Sequence, residues 1–257
     1  MTDELTSRVV ADGSSGVEVA GATDRGTVRV ENQDMWTAFA ATPAEPAHGT
    51  ALVIADGMGG HRGGREAAEA AVEAAAARLR DGGAPPQAVE AAVHEANAAV
   101  AGVRDLIGGD PGTTLVVAVV DGRQALIGNV GDSRAYLVRG GRAELLTFDH
   151  SVAGEEVRAG RIRPEDVRSH PRRNRITRAV LGDPVAPDLV TLDLRAGDTL
   201  VLCTDGVWEP LSDQDIAELL SNGGPLIRDV ERLCEAAIDA GGSDNVTAVA
   251  ARLAGGR

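Results

Sequence analysis

Three aspartates in this 257-residue chain stand where a backbone can bring a carboxylate up to a ligand. Asp56 closes the apolar run Ala51-Leu52-Val53-Ile54-Ala55 and is followed by Gly57-Met58-Gly59-Gly60. Asp205 closes Leu200-Val201-Leu202-Cys203-Thr204 and is followed by Gly206, and Asp244 lies in Gly241-Gly242-Ser243-Asp244-Asn245 ahead of the last apolar run. A carboxylate at a strand end beside glycine can face a cleft while its backbone approaches a ligand closely. If the three converge they form a hard oxygen cluster, which suits Mg²⁺ or Mn²⁺ and not zinc. Taken singly, each is as readily a turn residue, and Asp121-Gly122 is expected to be only that.

The remaining composition narrows the chemistry by exclusion. All 25 basic residues are arginine and none is lysine. That rules out a P-loop or kinase-type phosphate lysine and a Lys Schiff base. Cys203 and Cys234 have neither zinc-site spacing nor the number for a disulfide framework. Neither has an Arg six positions later, as a cysteine phosphate loop requires. A formal net charge of -14 argues against a nucleic-acid partner. It leaves a phosphorylated substrate open, since a bound divalent cation inverts the local charge. Residues 1–16 carry Asp3 and Glu4 and no apolar h-region, and no segment is long enough to span a membrane, so the expected location is cytoplasmic.

The elements that must position the aspartates follow from periodicity and breakers. Strands are expected over Gly16–Ala22, Trp36–Ala41, Thr50–Ile54, Thr113–Val120, Gln124–Asn129, Arg134–Val138, a short stretch through Leu146, Thr199–Cys203 and Asn245–Arg252. Ala-rich helices are expected over Arg62–Arg80 and Pro85–Ile107, with two more over Ser212–Leu220 and Pro225–Ala240. Residues 149–183 are rich in Arg, Pro and polar types and read as a surface flap with one helical piece near Glu155–Ala159. Strands and helices come in blocks, which favours an α+β class. Residues 17–252 read as one catalytic domain, between a flexible tail over 1–16 and a C-terminal tail over 253–257.

Six segments in order carry a resemblance. They are Thr23-Asp24-Arg25-Gly26-Thr27-Val28-Arg29-Val30-Glu31-Asn32-Gln33-Asp34, Ala55-Asp56-Gly57-Met58-Gly59-Gly60-His61 and Gly112-Thr113-Thr114, then Asn129-Val130-Gly131-Asp132-Ser133-Arg134, Cys203-Thr204-Asp205-Gly206 and Asp244-Asn245-Val246-Thr247. Together they resemble the motifs of the PP2C (PPM) family of metal-dependent protein serine/threonine phosphatases, in the bacterial form. The resemblance implies a four-layer α-β-β-α sandwich with two central antiparallel sheets. It also implies two Mn²⁺ or Mg²⁺ ions per site, and a third, weaker one.

By the same resemblance Asp56 would bridge the two ions, Asp205 and Asp244 would serve one and the Gly57 carbonyl the other, and a bridging water or hydroxide would attack phosphorus directly. A glycine at 57 would leave the metal's approach clear. Arg29 would hold the phosphate in a guanidinium fork, and Asp34 would support water from behind the ions. Asp132 would hold the third ion, with Asn174 in the flap contributing. Met58 stands where eukaryotic members place a histidine, so His61 nearby reads as a solvated loop residue. His150 and His170 are assigned to flap packing or substrate contact. The implied substrates are phosphoserine and phosphothreonine proteins, including a Ser/Thr kinase and its targets, acted on by a monomer. A small-molecule phosphoesterase and a catalytically dead binding module are the rival readings.

Overall fold

Successive side chains of a strand point to opposite faces, and here that alternation sorts the core into three layers. The computed structural model describes residues 5–12, 16–40, 49–58, 63–82 and 85–254. In β4 (Thr50–Met58), Ala51, Val53 and Ala55 join one apolar cluster, while Leu52 and Ile54 join another. In β12 (Val246–Leu253), Val246, Ala248 and Ala250 face a third cluster, and Val249, Ala251 and Leu253 face the one shared with Leu52 and Ile54. The shared cluster lies between two sheets, and each of the others lies between a sheet and its helices.

One sheet runs β1 (Thr6–Asp12), β2 (Val17–Asp24), β12, β11 (Thr199–Cys203), β8 (Arg134–Arg139), β9 (Arg142–Leu145). The other runs β10 (Asp188–Asp193), β7 (Gln124–Val130), β6 (Leu115–Asp121), β4, β3 (Asp34–Phe39), with β5 (Gly112–Thr113) pairing β4. All of these pairings are antiparallel. Helices α1 (Gly64–Arg80) and α2 (Pro85–Ile107) cover the second sheet. Their contact is built on alanines at helical spacing, Ala67, Ala71 and Ala75 on one side and Ala88, Ala92 and Ala96 on the other. Small residues let these helices lie close, so a chain with few aromatics still fills its core. The first sheet is covered by α5 (Asp213–Leu220) and α6 (Leu226–Asp239), with the short α4 (Asp205–Trp208) beside them. Ser212 caps α5 in a reciprocal capping box with Asp215. The α+β class and the four-layer α-β-β-α sandwich expected from the sequence are therefore observed.

The tail and the flap need correcting. Within the expected flexible tail over 1–16, Thr6–Asp12 is strand β1, paired with β2 from Thr6↔Thr23 to Asp12↔Glu18. Ser7 Oγ also donates to Glu231 Oε1 of α6 at 2.6 Å. At the other end Leu253, assigned to the C-terminal tail, is the last residue of β12. The segment 149–183 carries α3 (Val152–Arg158) and a 3-10 turn (Pro164–Ser169), and it is stitched to the core. Asp149, His150 and Ser151 are buried, and Val180 exchanges backbone hydrogen bonds with Thr113 at 3.0 and 2.9 Å. β10 was not expected at all. Ala41 and His61 lie outside the described residues. Among those described, no helix is long and apolar enough to cross a membrane.

Candidate active site

β4 extends past Asp56, so the carboxylate continues the face of Leu52 and Ile54 and points between the sheets at their edge. Its strand partner is Asp34, directly opposite in the β3–β4 register. Threonines fix the Asp56 backbone: its N–H donates to Thr114 Oγ1 at 2.9 Å, and its carbonyl accepts from Thr113 Oγ1 at 2.8 Å and Thr114 N at 2.9 Å. From the facing sheet, Thr204 at the end of β11 donates through Oγ1 to Asp34 Oδ2 at 2.8 Å. The next residue, Asp205, opens α4. A Cβ on Gly206 would lie 1.9 Å from the Asn245 carbonyl oxygen, so glycine lets the Asp205 turn close on the Asp244 turn.

Asn245 carries the loop over this edge. Its Nδ2 donates to the carbonyls of Arg25 and Glu31, each at 2.9 Å, and its Oδ1 accepts from Gln33 N at 2.8 Å. The loop so held presents Arg29, whose Nη2 lies 2.5 Å from Asp244 Oδ2. A cavity of about 580 Å³ results, and Arg29, Asp56, Gly57, Asp132, Asn174, Asp205 and Asp244 all line it. Seven of the eight expected site residues thus meet in one cleft. Asp34 sits behind Asp56, only 4% exposed. The contribution of Asn245 and of the Thr113, Thr114 and Thr204 hydroxyls was not foreseen, although all four lie inside the quoted motifs.

The cleft is strained electrostatically. Burial, then the charges of neighbouring aspartates, push Asp56 and Asp205 well above the ordinary carboxylate range. Burial raises Asp34 to about 7, and burial with the charge of Asp149 raises Asp132 to about 7. Asp34 Oδ1 and Asp205 Oδ1 are buried with no hydrogen-bond partner. Converging carboxylates with unpartnered oxygens fit hard divalent cations, which would relieve both the repulsion and the missing partners. Among the described residues no three His, Cys, Asp or Glu side chains already close around one point, and Asp244 is turned onto Arg29 instead.

The reason for glycine at 57 differs from the one expected. A Cβ there would lie 2.2 Å from the Gly64 carbonyl oxygen and 2.7 Å from that of Gln33. Backbone packing against the start of α1, rather than clearance for a metal, excludes a side chain.

Fold and site together define a class: an α-β-β-α sandwich with a carboxylate-lined cleft at the edge of two antiparallel sheets. The chain belongs to the protein phosphatase 2C family, whose model matches residues 27–248. It is 40% identical over 240 residues to the serine/threonine protein phosphatase PstP of Mycobacterium tuberculosis, covering 90% of this chain and 44% of that protein. It therefore spans less than half the length of that relative. With the protein phosphatase PhpP of Streptococcus pneumoniae it shares 34% identity over 244 residues, 90% of this chain and 95% of PhpP. The crystal structure of M. tuberculosis PstP/Ppp superposes with a TM-score of 0.83 at 37% identity, over 93% of this chain and 99% of that one. The PstP catalytic domain in complex with two manganese ions superposes at 0.80 with 34% identity, over 98% and 100% of the two chains.

Proposed function

We propose that this chain is a protein serine/threonine phosphatase that depends on Mn²⁺ or Mg²⁺, acting in the cytoplasm as a monomer on phosphorylated proteins, among them a Ser/Thr kinase and its targets. The observation that carries the reading is the convergence of Asp56, Asp205, Asp244 and Asp132 under Arg29, with buried carboxylate oxygens left unpartnered. Similarity to PstP, whose catalytic domain has been solved with two manganese ions, supports divalent metal dependence.

In this reading Asp56, the Gly57 carbonyl, Asp205 and Asp244 would hold two ions, and Asp132 with Asn174 would hold a third. Bound there, divalent ions neutralise phosphoryl charge and make water a better nucleophile at neutral pH. The protein's own groups do the rest. Arg29 leaves Asp244 for two phosphate oxygens and fixes the direction from which water approaches phosphorus. Asp34, anchored by Thr204 and opposite Asp56 in the strand register, keeps an unpartnered Oδ1 with which to orient water. Met58 lines the cleft and has no proton to give the leaving alkoxide, so solvent supplies it.

The test is phosphate release with Mn²⁺ from phosphothreonine, phosphoserine and phosphotyrosine peptides and from sugar phosphates. Preferential turnover of the first two is expected. Faster turnover of sugar phosphates would make the chain a small-molecule phosphoesterase.

A further inference from the structure

Behind Asp132 lies a set of buried polar groups that the chemistry above does not use. We propose that Trp208 and His150, locked together by the Arg134–Asp149 pair, form a positioning clamp that sets the Asp132 carboxylate in the cleft and so tunes how tightly a divalent ion is held there. The proposal rests on the metal reading of the cleft.

Asp132 sits in the turn between β7 and β8, and the clamp grips the backbone of that turn from two sides. His150 N donates to the Gly131 carbonyl at 2.9 Å, and Gly131 N donates to His150 Nδ1 at 3.0 Å. From the other side, Trp208 Nε1 donates to the Asp132 carbonyl at 2.9 Å. The peptides on either side of Asp132 are thus fixed from two distant segments, one by the backbone N–H of His150 and the other by the Trp208 indole. The turn also packs closely on Thr114, since a Cβ on Gly131, at φ +112°, would lie 2.6 Å from the Thr114 side chain.

Arg134 joins the two jaws. Its Nε and Nη2 donate to Asp149 Oδ1 and Oδ2 at 2.8 and 2.7 Å, in a bidentate fork, and Nη1 donates to the Tyr136 hydroxyl at 2.9 Å. The flat face of the same guanidinium lies 3.6 Å from the centre of the Trp208 ring. Its edge therefore holds the residue before His150, and its face holds Trp208. Arg134 is 3% exposed, Trp208 1% and His150 0%, so each contact is made away from water. Trp208 also ends α4, the helix that Asp205 begins, so the clamp ties Asp132 to Asp205 through four residues. Such an arrangement fixes a ligand's position from outside its ligand set.

Removing Arg134 would strand a buried Asp149 charge and endanger folding. Trp208→Phe is the sharper probe, because it keeps an aromatic ring for Arg134 while deleting the Nε1–H donor, and the packing lost with the smaller ring is read separately from the thermal midpoint. Mn²⁺ would be titrated calorimetrically into wild type, Trp208→Phe, Asp132→Ala and the double variant, with thermal midpoints taken in chelator. The expected result is a weakest Mn²⁺ step loosened several-fold, up to about tenfold, in Trp208→Phe, the scale of a lost buried hydrogen bond. The tighter steps and the KM for p-nitrophenyl phosphate should stay as in wild type. In the Asp132→Ala background Trp208→Phe should change nothing further, which a merely structural role would not give. An unaltered isotherm in folded Trp208→Phe, or equal loosening with Asp132 absent, overturns the clamp while leaving the phosphatase reading intact. A wild-type chain that takes up no Mn²⁺ overturns both.

Discussion

Asp34 and Asp56 are directly opposed across the β3–β4 ladder. Like charges facing each other on neighbouring strands repel, and here they do so out of water. Burial is the largest cause of the upward shift at both groups and favours their protonated forms, and at Asp56 the charge of Asp34 adds to it. Asp34 is raised from an ordinary 3.8 to about 7, and Asp132 likewise. A folded-state pKa above the unfolded value gives stability that is complete below about pH 4 and is lost as pH rises to about 7. Asp34→Asn has no such proton to lose, so the thermal midpoint of chelated wild type should fall relative to it between these limits. A pH-independent difference would count against the burial-driven shift of Asp34. Asp188 and Asp198, depressed by their arginine partners, act below this window and do not blur it.

Arg29 is more than half exposed and its pair with Asp244 contributes little to stability. Its substitution should therefore show in catalysis. A charge-assisted hydrogen bond is typically worth about 1.5–3 kcal/mol, so Arg29→Ala should lower kcat/KM by roughly one to two orders of magnitude, largely through KM. Arg29→Lys should recover part of this, since an ammonium cannot form the fork. Steady-state kinetics with unchanged kcat/KM in Arg29→Ala would remove the phosphate role.

Cys203 and Cys234 are buried, and burial pushes the Cys203 thiol up to about 12 and that of Cys234 higher still. Neither is ionised at neutral pH, so neither can act as a nucleophile. Cys203→Ser should keep wild-type kcat and lose about 1–3 kcal/mol of stability for burying a hydroxyl without a set partner. Denaturant unfolding alongside a rate assay checks both halves. A stable but inactive variant would revive thiol chemistry.

Deleting residues 1–12 should destabilise the domain, because β1 covers the edge of β2 and ties to α6 through Ser7 and Glu231. The midpoint should fall by ~2–4 °C for each kcal/mol lost in a domain of this size, and the bared β2 edge should promote association. Calorimetry with light scattering would show it. An unchanged midpoint would mean that β1 behaves as the tail its sequence suggested.

Asp56, Asp205 and Asp244 were legible because each stands near the end of an apolar run with a glycine within two positions, a pattern carried by nearby residues. The sandwich was legible only through the resemblance carried by the six motifs, since β4 and β12 read as nearly uninterrupted apolar runs whose two faces cannot be told apart by polarity. What was hidden depends on contacts between distant segments. β1 offers only Val9, Val10 and Ala11 between charged neighbours, and its place in the sheet comes from β2. β10 is an edge strand whose alternation is half exposed and blurred by the prolines before it. Asn245 and Trp208 stood beside recognised aspartates, but their partners lie on the Arg25–Gln33 loop and the Asp132 turn. The reason for Gly57 was misjudged because the approach of Gly64 cannot be read from local sequence.

The central claim is that the Asp56 cleft hydrolyses phosphothreonine only when it holds divalent ions, and one measurement addresses it directly. Phosphate release from a phosphothreonine peptide would be followed for wild type with Mn²⁺, for wild type with chelator and for Asp56→Ala with Mn²⁺, with circular dichroism confirming the fold of each. Turnover should be robust in the first, abolished in the second, restored there by adding back Mn²⁺, and abolished in the third at saturating metal. Full turnover in the presence of chelator, or by folded Asp56→Ala, would contradict the two-ion mechanism.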